Sequence, residues 1–256
     1  MSDRRVAVTG LGVVASCGTG VEAFWEGLCG PAPVGERRVG DFDPALYFEN
    51  PKEARRSDRS TQFAVAAADM ALEHAGTLTA DPSRSGVFIG TGIGGIETLE
   101  AEMTVLIERG PRRVSPFLVP MMMPNAAPAA VSMRHGFQGP AENSCTACAA
   151  GTHAIANAAR LITSGRCDVV LAGGTEAAFT STAVAGFTNM TAFSSTGVSR
   201  PFDADRDGFV MGEGAGILAL EEWSMAKARD ATVLAEILGG ASTADAHHIT
   251  APSPGG

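Results

Sequence analysis

Apolar residues cluster along the chain in two alternating styles, and the alternation predicts the elements. Residues 5–9 (RVAVT), 86–89 (GVFI) and 168–173 (DVVLAG) are short, nearly continuous apolar runs. Runs of that length, rich in Val and bounded by Gly, read as strands buried on both faces. Between them lie stretches of helical period. Residues 61–74 (TQFAVAAADMALEH) put Phe63, Ala66, Ala67, Met70 and Ala71 on one face. Asp58 or Ser60 is placed to cap this helix, and Ala75-Gly76 to stop it. Residues 21–28, 97–108 and 154–164 have the same period. Residues 30–57 form a long Pro- and Arg-containing excursion without one, and 177–200 are loop-rich. Residues 209–211 and 215–222 read as strand segments around Gly212-Glu213-Gly214, and 232–239 (TVLAEILG) as one more strand. Strands alternating with helices predict an α/β fold, a largely parallel sheet flanked by helices.

Composition narrows the class. The chain has 256 residues, 45% of them hydrophobic, enough for one or two units with a real core. Its formal net charge of −9 argues against nonspecific nucleic-acid binding. No run of about 18 apolar residues is present, so no membrane helix is expected. Residues 1–5 lead straight into the first strand without a signal-peptide core, and five cysteines without framework spacing read as reduced thiols. Together these predict a cytoplasmic protein.

Three motifs carry candidate chemistry. G-x-G-x-x-A at Gly10, Gly12 and Ala15, and the glycines at 90, 92 and 95, have dinucleotide-loop spacing. Neither is followed by a second strand ending in an acidic residue, so close packing of strand on helix is the better reading. Asp203, Asp205, Asp207 and Glu213 approach a calcium loop, but the Glu falls at position eleven rather than twelve and a strand follows; no metal is predicted. The third motif, residues 143–153 (NSCTACAAGTH), is predicted to run from a short strand through a sharp turn at 146–148 into a helix starting near Cys148. A cysteine there meets unpaired N–H groups and the positive end of the helix dipole, which favour the thiolate. Ala147, Ala149, Ala150 and Gly151 leave room for a substrate carbonyl. From the residues alone, an inert buried cysteine and a C-x-x-C redox pair with Cys145 stay open.

TACAAGTHAI resembles the nucleophile elbow of β-ketoacyl-[acyl carrier protein] synthases, synthase II above all. So, in order, do VAVTGLGVV at 6–14, GVFIGTGIGG at 86–95, RRVSPFLVP at 112–120, DVVLAGGTEA at 168–177 and SRPFDADRDGFVMGEGAGILALEE at 199–222. The resemblance implies the thiolase fold: two halves, each a mixed five-stranded sheet flanked by helices, packed as an αβαβα sandwich. Residues 1–231 would be the nucleophile half and 232–256 the first strand of the second. It implies a decarboxylative condensation of carrier-bound acyl and malonyl groups, with Cys148 as the acyl acceptor and no cofactor or metal. Leu99, Leu118 and Phe187 would line the acyl pocket. Arg55, Arg56, Arg112 and Arg113 would dock an acidic acyl carrier protein, with Thr191 where the family carries a further basic residue. His248 would lie on the pantetheine path, and Arg206 and Asp207 in hydrogen-bonded loops under the site. The full-length form would be a homodimer.

The family's two catalytic histidines lie in H-G-T-G-T and G-H motifs. Neither motif occurs here, and His74, His135, His153, His247 and His248 match neither. The chain alone is therefore expected not to condense. A noncatalytic ketosynthase-like partner, one half of a split enzyme and a C-x-x-C thiol oxidoreductase are the alternative readings.

Overall fold

A computed structural model describes residues 4–255. In chain order the elements are β1 (Val6–Ala15), β2 (Gly18–Thr19), α1 (Val21–Cys29), α2 (Pro51–Arg55), α3 (Arg59–Ala75), β3 (Ser85–Gly90), α4 (Ile96–Arg109), α5 (Leu118–Met122), α6 (Ala126–His135), β4 (Ala141–Glu142), α7 (Ala150–Thr163), β5 (Val169–Glu176), α8 (Ser181–Asn189), β6 (Gly214–Glu222), α9 (Trp223–Ala228) and β7 (Ala235–Glu236). Among these residues no helix is long and apolar enough to cross a membrane.

The sheet order is β1-β6-β5-β3-β4, with the two-residue strands β2 and β7 added to β1. It is mixed rather than largely parallel. β3 pairs parallel with β4 and β5, but β6 is antiparallel to both β5 and β1. The register gives the reason. Glu176, the last residue of β5, stands opposite Gly214, the first of β6. Residues 177–213 therefore leave and re-enter the same end of the sheet without crossing it. Ala15 of β1 also pairs with Gly214, and Gly90 of β3 with Gly174. Four strands thus bring their ends to one edge, where the site lies.

Three further elements depart from expectation. β1 does not stop at Thr9 but continues through Gly10-Leu11-Gly12, so these glycines form no phosphate-cradling turn. They let α3 lie against the strand: a Cβ on Gly10 would stand 2.1 Å from the Ala71 carbonyl oxygen, and one on Gly12 1.9 Å from that of Ala67. Phe209 makes only an isolated bridge to Phe193, because the chain there is still turning toward β6. The segment 232–239 contributes two paired residues, and they join β1 of the same sheet, flanked by Leu234 N–H to Val8 C=O and Ile237 N–H to Val6 C=O.

The sheet is covered on both faces. On one, α3 buries Phe63, Ala64, Ala66, Ala67, Ala68 and Ala71, roofed by Val39, Phe48 and the Val131 face of α6. On the other, α7 buries Ala154, Ala158 and Ile162 against Val6, Val8, Val170 and Leu220. The cap of α3 is Asp58. One carboxylate oxygen accepts from Ser60 N–H (3.0 Å), the other from the Thr98 N–H (3.0 Å) and hydroxyl (2.7 Å) in the first turn of α4. One buried side chain therefore satisfies the open ends of two helices.

Candidate active site

The elbow is held from below by β3. Asn143 Nδ2 donates to Ile89 C=O (2.7 Å) and Thr91 N–H to Ser144 C=O (3.1 Å). Ala147 has φ of 50°, a left-handed conformation that costs about 1–2 kcal/mol for a residue with a Cβ. The chain then makes a 3₁₀ turn, Ala147–Ala149, before α7 begins at Ala150. Cys148 therefore lies on the turn leading into the helix, which begins two residues later than the predicted start near Cys148. The left-handed residue redirects the chain too sharply for the α-helix to begin there. Close approach again needs glycine: a Cβ on Gly90 would stand 2.2 Å from the Ala150 carbonyl oxygen.

Cys148 is exposed and lines a cavity of about 590 Å³ at the shared strand edge. The wall is mostly small and apolar: Val13, Val14 and Ala15 from β1, Gly90–Ile93 after β3, Gly174–Glu176 from β5, then Phe209–Gly212. Phe187 reaches it from α8 and is not alone. Its ring meets Phe209 edge-on at 5.2 Å, and Phe209 meets Phe193 at 5.0 Å. Such a cavity suits an apolar chain delivered to the thiol.

Leu99 lies on α4 and Leu118 opens α5; both are partly exposed and neither belongs to this wall. Of the four arginines, Arg55 ends α2, Arg56 follows it, and Arg112 and Arg113 lie in an exposed 3₁₀ turn. The Arg56 guanidinium sits 4.2 Å over the Phe117 ring, joining the end of α2 to the segment that follows the exposed 3₁₀ turn Pro111–Arg113. Thr191, with φ of 52°, sits in the turn after α8. His248 lies in the exposed C-terminal segment, its Nδ1 accepting from Thr250 and Ala251 N–H (3.1 and 3.0 Å), away from the cavity wall. His153 shares a hydrogen bond with Thr146 Oγ1 (2.8 Å) and braces the elbow.

The carboxylates of the calcium-like loop diverge. Glu213 accepts from Val39 N–H and pairs with Arg59 (2.8 Å each). Asp207 accepts from Ser194 and Ser195 hydroxyls and Thr196 N–H, which hold its pKa well below the usual carboxylate range. Arg206 donates to Asp203 C=O (2.7 Å). Among the described residues no group of three or more His, Cys, Asp or Glu is arranged to hold a metal.

A family model, that of the β-ketoacyl synthase N-terminal domain, matches residues 31–226. The chain belongs to the β-ketoacyl synthase family. It is 44% identical over 282 residues to 3-oxoacyl-[acyl-carrier-protein] synthase 2 of Synechocystis, covering all of this chain and 67% of that protein. To the synthase 2 of Rhizobium meliloti it is 43% identical over 284 residues, covering 99% and 67%. The chain thus spans about two thirds of the length of these curated relatives. Among solved structures, a β-ketoacyl synthase from Burkholderia phymatum superposes with a TM-score of 0.85 at 32% identity, covering 98% of this chain and 66% of that one. A type II polyketide ketosynthase, solved with its acyl-carrier protein and bound to a hexaketide, gives 0.83 at 32% identity, covering 96% and 64%. The sheet and its two helical layers are thus those of a thiolase-like ketosynthase.

Two wall residues escaped sequence reading. Phe209 reads in the sequence as part of a strand. Glu176 falls outside the strand read at 168–173 and enters only within the 168–177 motif, although an acidic residue closing a buried apolar strand is itself a signal.

Proposed function

We propose that this chain is the acyl-accepting part of a 3-oxoacyl-[acyl-carrier-protein] synthase, in which Cys148 takes the growing acyl group from a carrier protein. The observation that carries the reading is an exposed cysteine on a strained elbow at an apolar cavity. The Cys148 sulfur attacks the acyl thioester carbonyl, the new C–S bond forms, and the carrier thiol leaves with the proton. In the complete reaction, loss of CO₂ from a carrier-bound malonyl group generates an enolate. The enolate carbon attacks the acyl-cysteine carbonyl, the C–S bond breaks, and a 3-oxoacyl-carrier product and the Cys148 thiolate are released. The oxyanion formed at each carbonyl needs hydrogen-bond donors. Residues 1–256 contain neither of the family's histidine motifs, so the condensation step is assigned to the complete synthase.

In this reading residues 1–231 are the nucleophile half and 232–256 open the second. Phe187 is the acyl-pocket residue nearest the chemistry, with Leu99 and Leu118 further along toward a homodimer contact. β4, the short exposed edge strand, is the place for a second copy to join the sheet. Arg55, Arg56, Arg112 and Arg113 supply a local positive patch on an acidic chain, suited to an acidic carrier. His248 is kept as a pantetheine contact. Five free cysteines fit a reducing cytoplasm. Retention of Cys148 favours this reading over a noncatalytic partner subunit.

The test is acyl transfer followed by intact-protein and peptide mass spectrometry. An acyl-carrier thioester should add one acyl group, on Cys148; Cys148→Ala should abolish it and Cys145→Ser should leave it. Iodoacetamide at neutral pH should label Cys148 before Cys145. Acylation on Cys145, or none, sinks the proposal.

A further inference from the structure

Apart from Cys148, the ionisable side chain in the cavity wall is Glu176. It ends β5, and its carboxylate reaches into the turn after β3 rather than toward solvent. Oε2 accepts from Gly92 N–H at 2.7 Å and Oε1 from the Thr91 hydroxyl at 3.2 Å. Thr91 Oγ1 in turn accepts from Gly94 N–H at 3.1 Å. A single carboxylate therefore organises the backbone donors of Gly92, directly, and Gly94, through one hydroxyl. Burial pushes its pKa up while these donors oppose the rise.

The same turn is gripped from its other side by the elbow. The Cys145 thiol donates to Gly92 C=O at 3.4 Å. A Cβ on Gly92 would stand 2.7 Å from Glu176 Oε2, so a side chain there would push the carboxylate off the turn, and 3.6 Å from Ala147 Cα, an ordinary contact with the elbow. Beyond the turn, Gly95 N–H donates to Met122 C=O, and α4 starts at once.

We propose that Glu176 is a positioning residue for acyl transfer: it fastens the 91–94 turn against the Cys148 elbow and so fixes the wall along which the incoming acyl chain lies. This rests on the acyl-acceptor reading of Cys148. Glu176 touches no reacting atom. It acts through Gly92 and Thr91.

The experiment reads Cys148 in two ways on the full 256-residue chain. Iodoacetamide alkylation needs only an accessible thiolate. Acylation by a long-chain acyl thioester also needs the wall. Glu176→Ala is expected to lower long-chain acylation about 10- to 100-fold, with alkylation changed by less than about twofold, because misplacement near 1 Å can cost that much. Glu176→Gln should recover most of the rate, since its amide oxygen still accepts from Gly92 N–H and its NH₂ donates to Thr91. Gly92→Ala displaces the carboxylate while leaving its charge, and should reproduce the alanine phenotype even if Glu176→Ala does not fold. Wild-type acylation rates in both Glu176→Ala and Gly92→Ala overturn the proposal. So does an equal fall of acylation and alkylation together with melting temperature in all three variants, which marks a merely structural role. If wild-type Cys148 is alkylated but never acylated, the acyl-acceptor reading itself fails and this inference falls with it.

Discussion

α3 and α7 pack on opposite faces of one sheet, and both come within backbone contact of a strand through glycine. They differ in how the chain enters them and in what lies outside. α3 is entered through a buried aspartate that caps it and α4 together, stopped by Gly76, and sealed beneath Val39, Phe42 and Phe48. α7 is entered through an uncapped 3₁₀ turn behind a left-handed alanine, and its outer face stays partly open. Across that face runs the C-terminal segment, with Arg160 donating to Gly240 C=O at 3.2 Å. One helix has its open N–H groups satisfied by a side chain; the other leaves them beside an exposed thiol. A cap on α7 would consume the donors and fill the space that an acyl carbonyl needs.

If α3 is the structural side, crowding it should have the largest effect. Gly12→Val places a branched side chain where even a Cβ would lie 1.9 Å from a main-chain oxygen. Neither β1 nor α3 has room to move, so a loss of more than about 3 kcal/mol is expected, beyond ordinary overpacking. Circular dichroism and size-exclusion chromatography would then show an unfolded or aggregated chain. Normal elution with a cooperative melt would mean that α3 is not clamped to β1 as described.

Asp58→Ala comes next. It removes the α3 cap and both Thr98 contacts, leaving buried donors unpaired. A cap is worth about 1 kcal/mol and an unsatisfied buried group about 1–3, so a loss of about 2–4 kcal/mol is expected from urea unfolding. A change below about 0.5 kcal/mol, the usual size at an unremarkable surface site, would separate the two helix ends that this side chain joins.

The same contrast explains what sequence could and could not disclose. α3 was legible to within two residues because its period, cap and glycine stop are local signals. The turn-into-helix position of Cys148 was legible because small residues and helical period around 146–164 are local signals too. The course of β1 through its glycines was not: Gly10 and Gly12 mark a turn in one context and close packing in another, and only the position of α3 decides. Nor was the reversal of β6, which depends on the 177–213 segment returning to the end it left. Glu176 and Phe209 were hidden for a related reason. Their partners are 84 and 22 residues away, at Gly92 and Phe187, and nothing in local period points across such distances.

The smallest stability effect expected is also the one that most sharpens the comparison. Ala147 holds a left-handed φ of 50° between the strand side of the elbow and the 3₁₀ turn. Glycine adopts that conformation without the roughly 1–2 kcal/mol that a Cβ costs. Against this, glycine loses about 0.4–1 kcal/mol more backbone entropy on folding. The two nearly cancel, so Ala147→Gly should leave stability within about 1 kcal/mol of the parent, with a slight gain the more natural sign. Function should move the other way. A glycine widens the conformations open to the elbow, so Cys148 spends less time facing the cavity and its acylation slows, while alkylation by a small reagent barely changes. Differential scanning fluorimetry beside an acylation time course would read both. A marked loss of stability would show that the Ala147 methyl is packing rather than strained. Unchanged acylation would show that the elbow is held by Thr146, His153 and the Gly92 turn, without help from the left-handed residue.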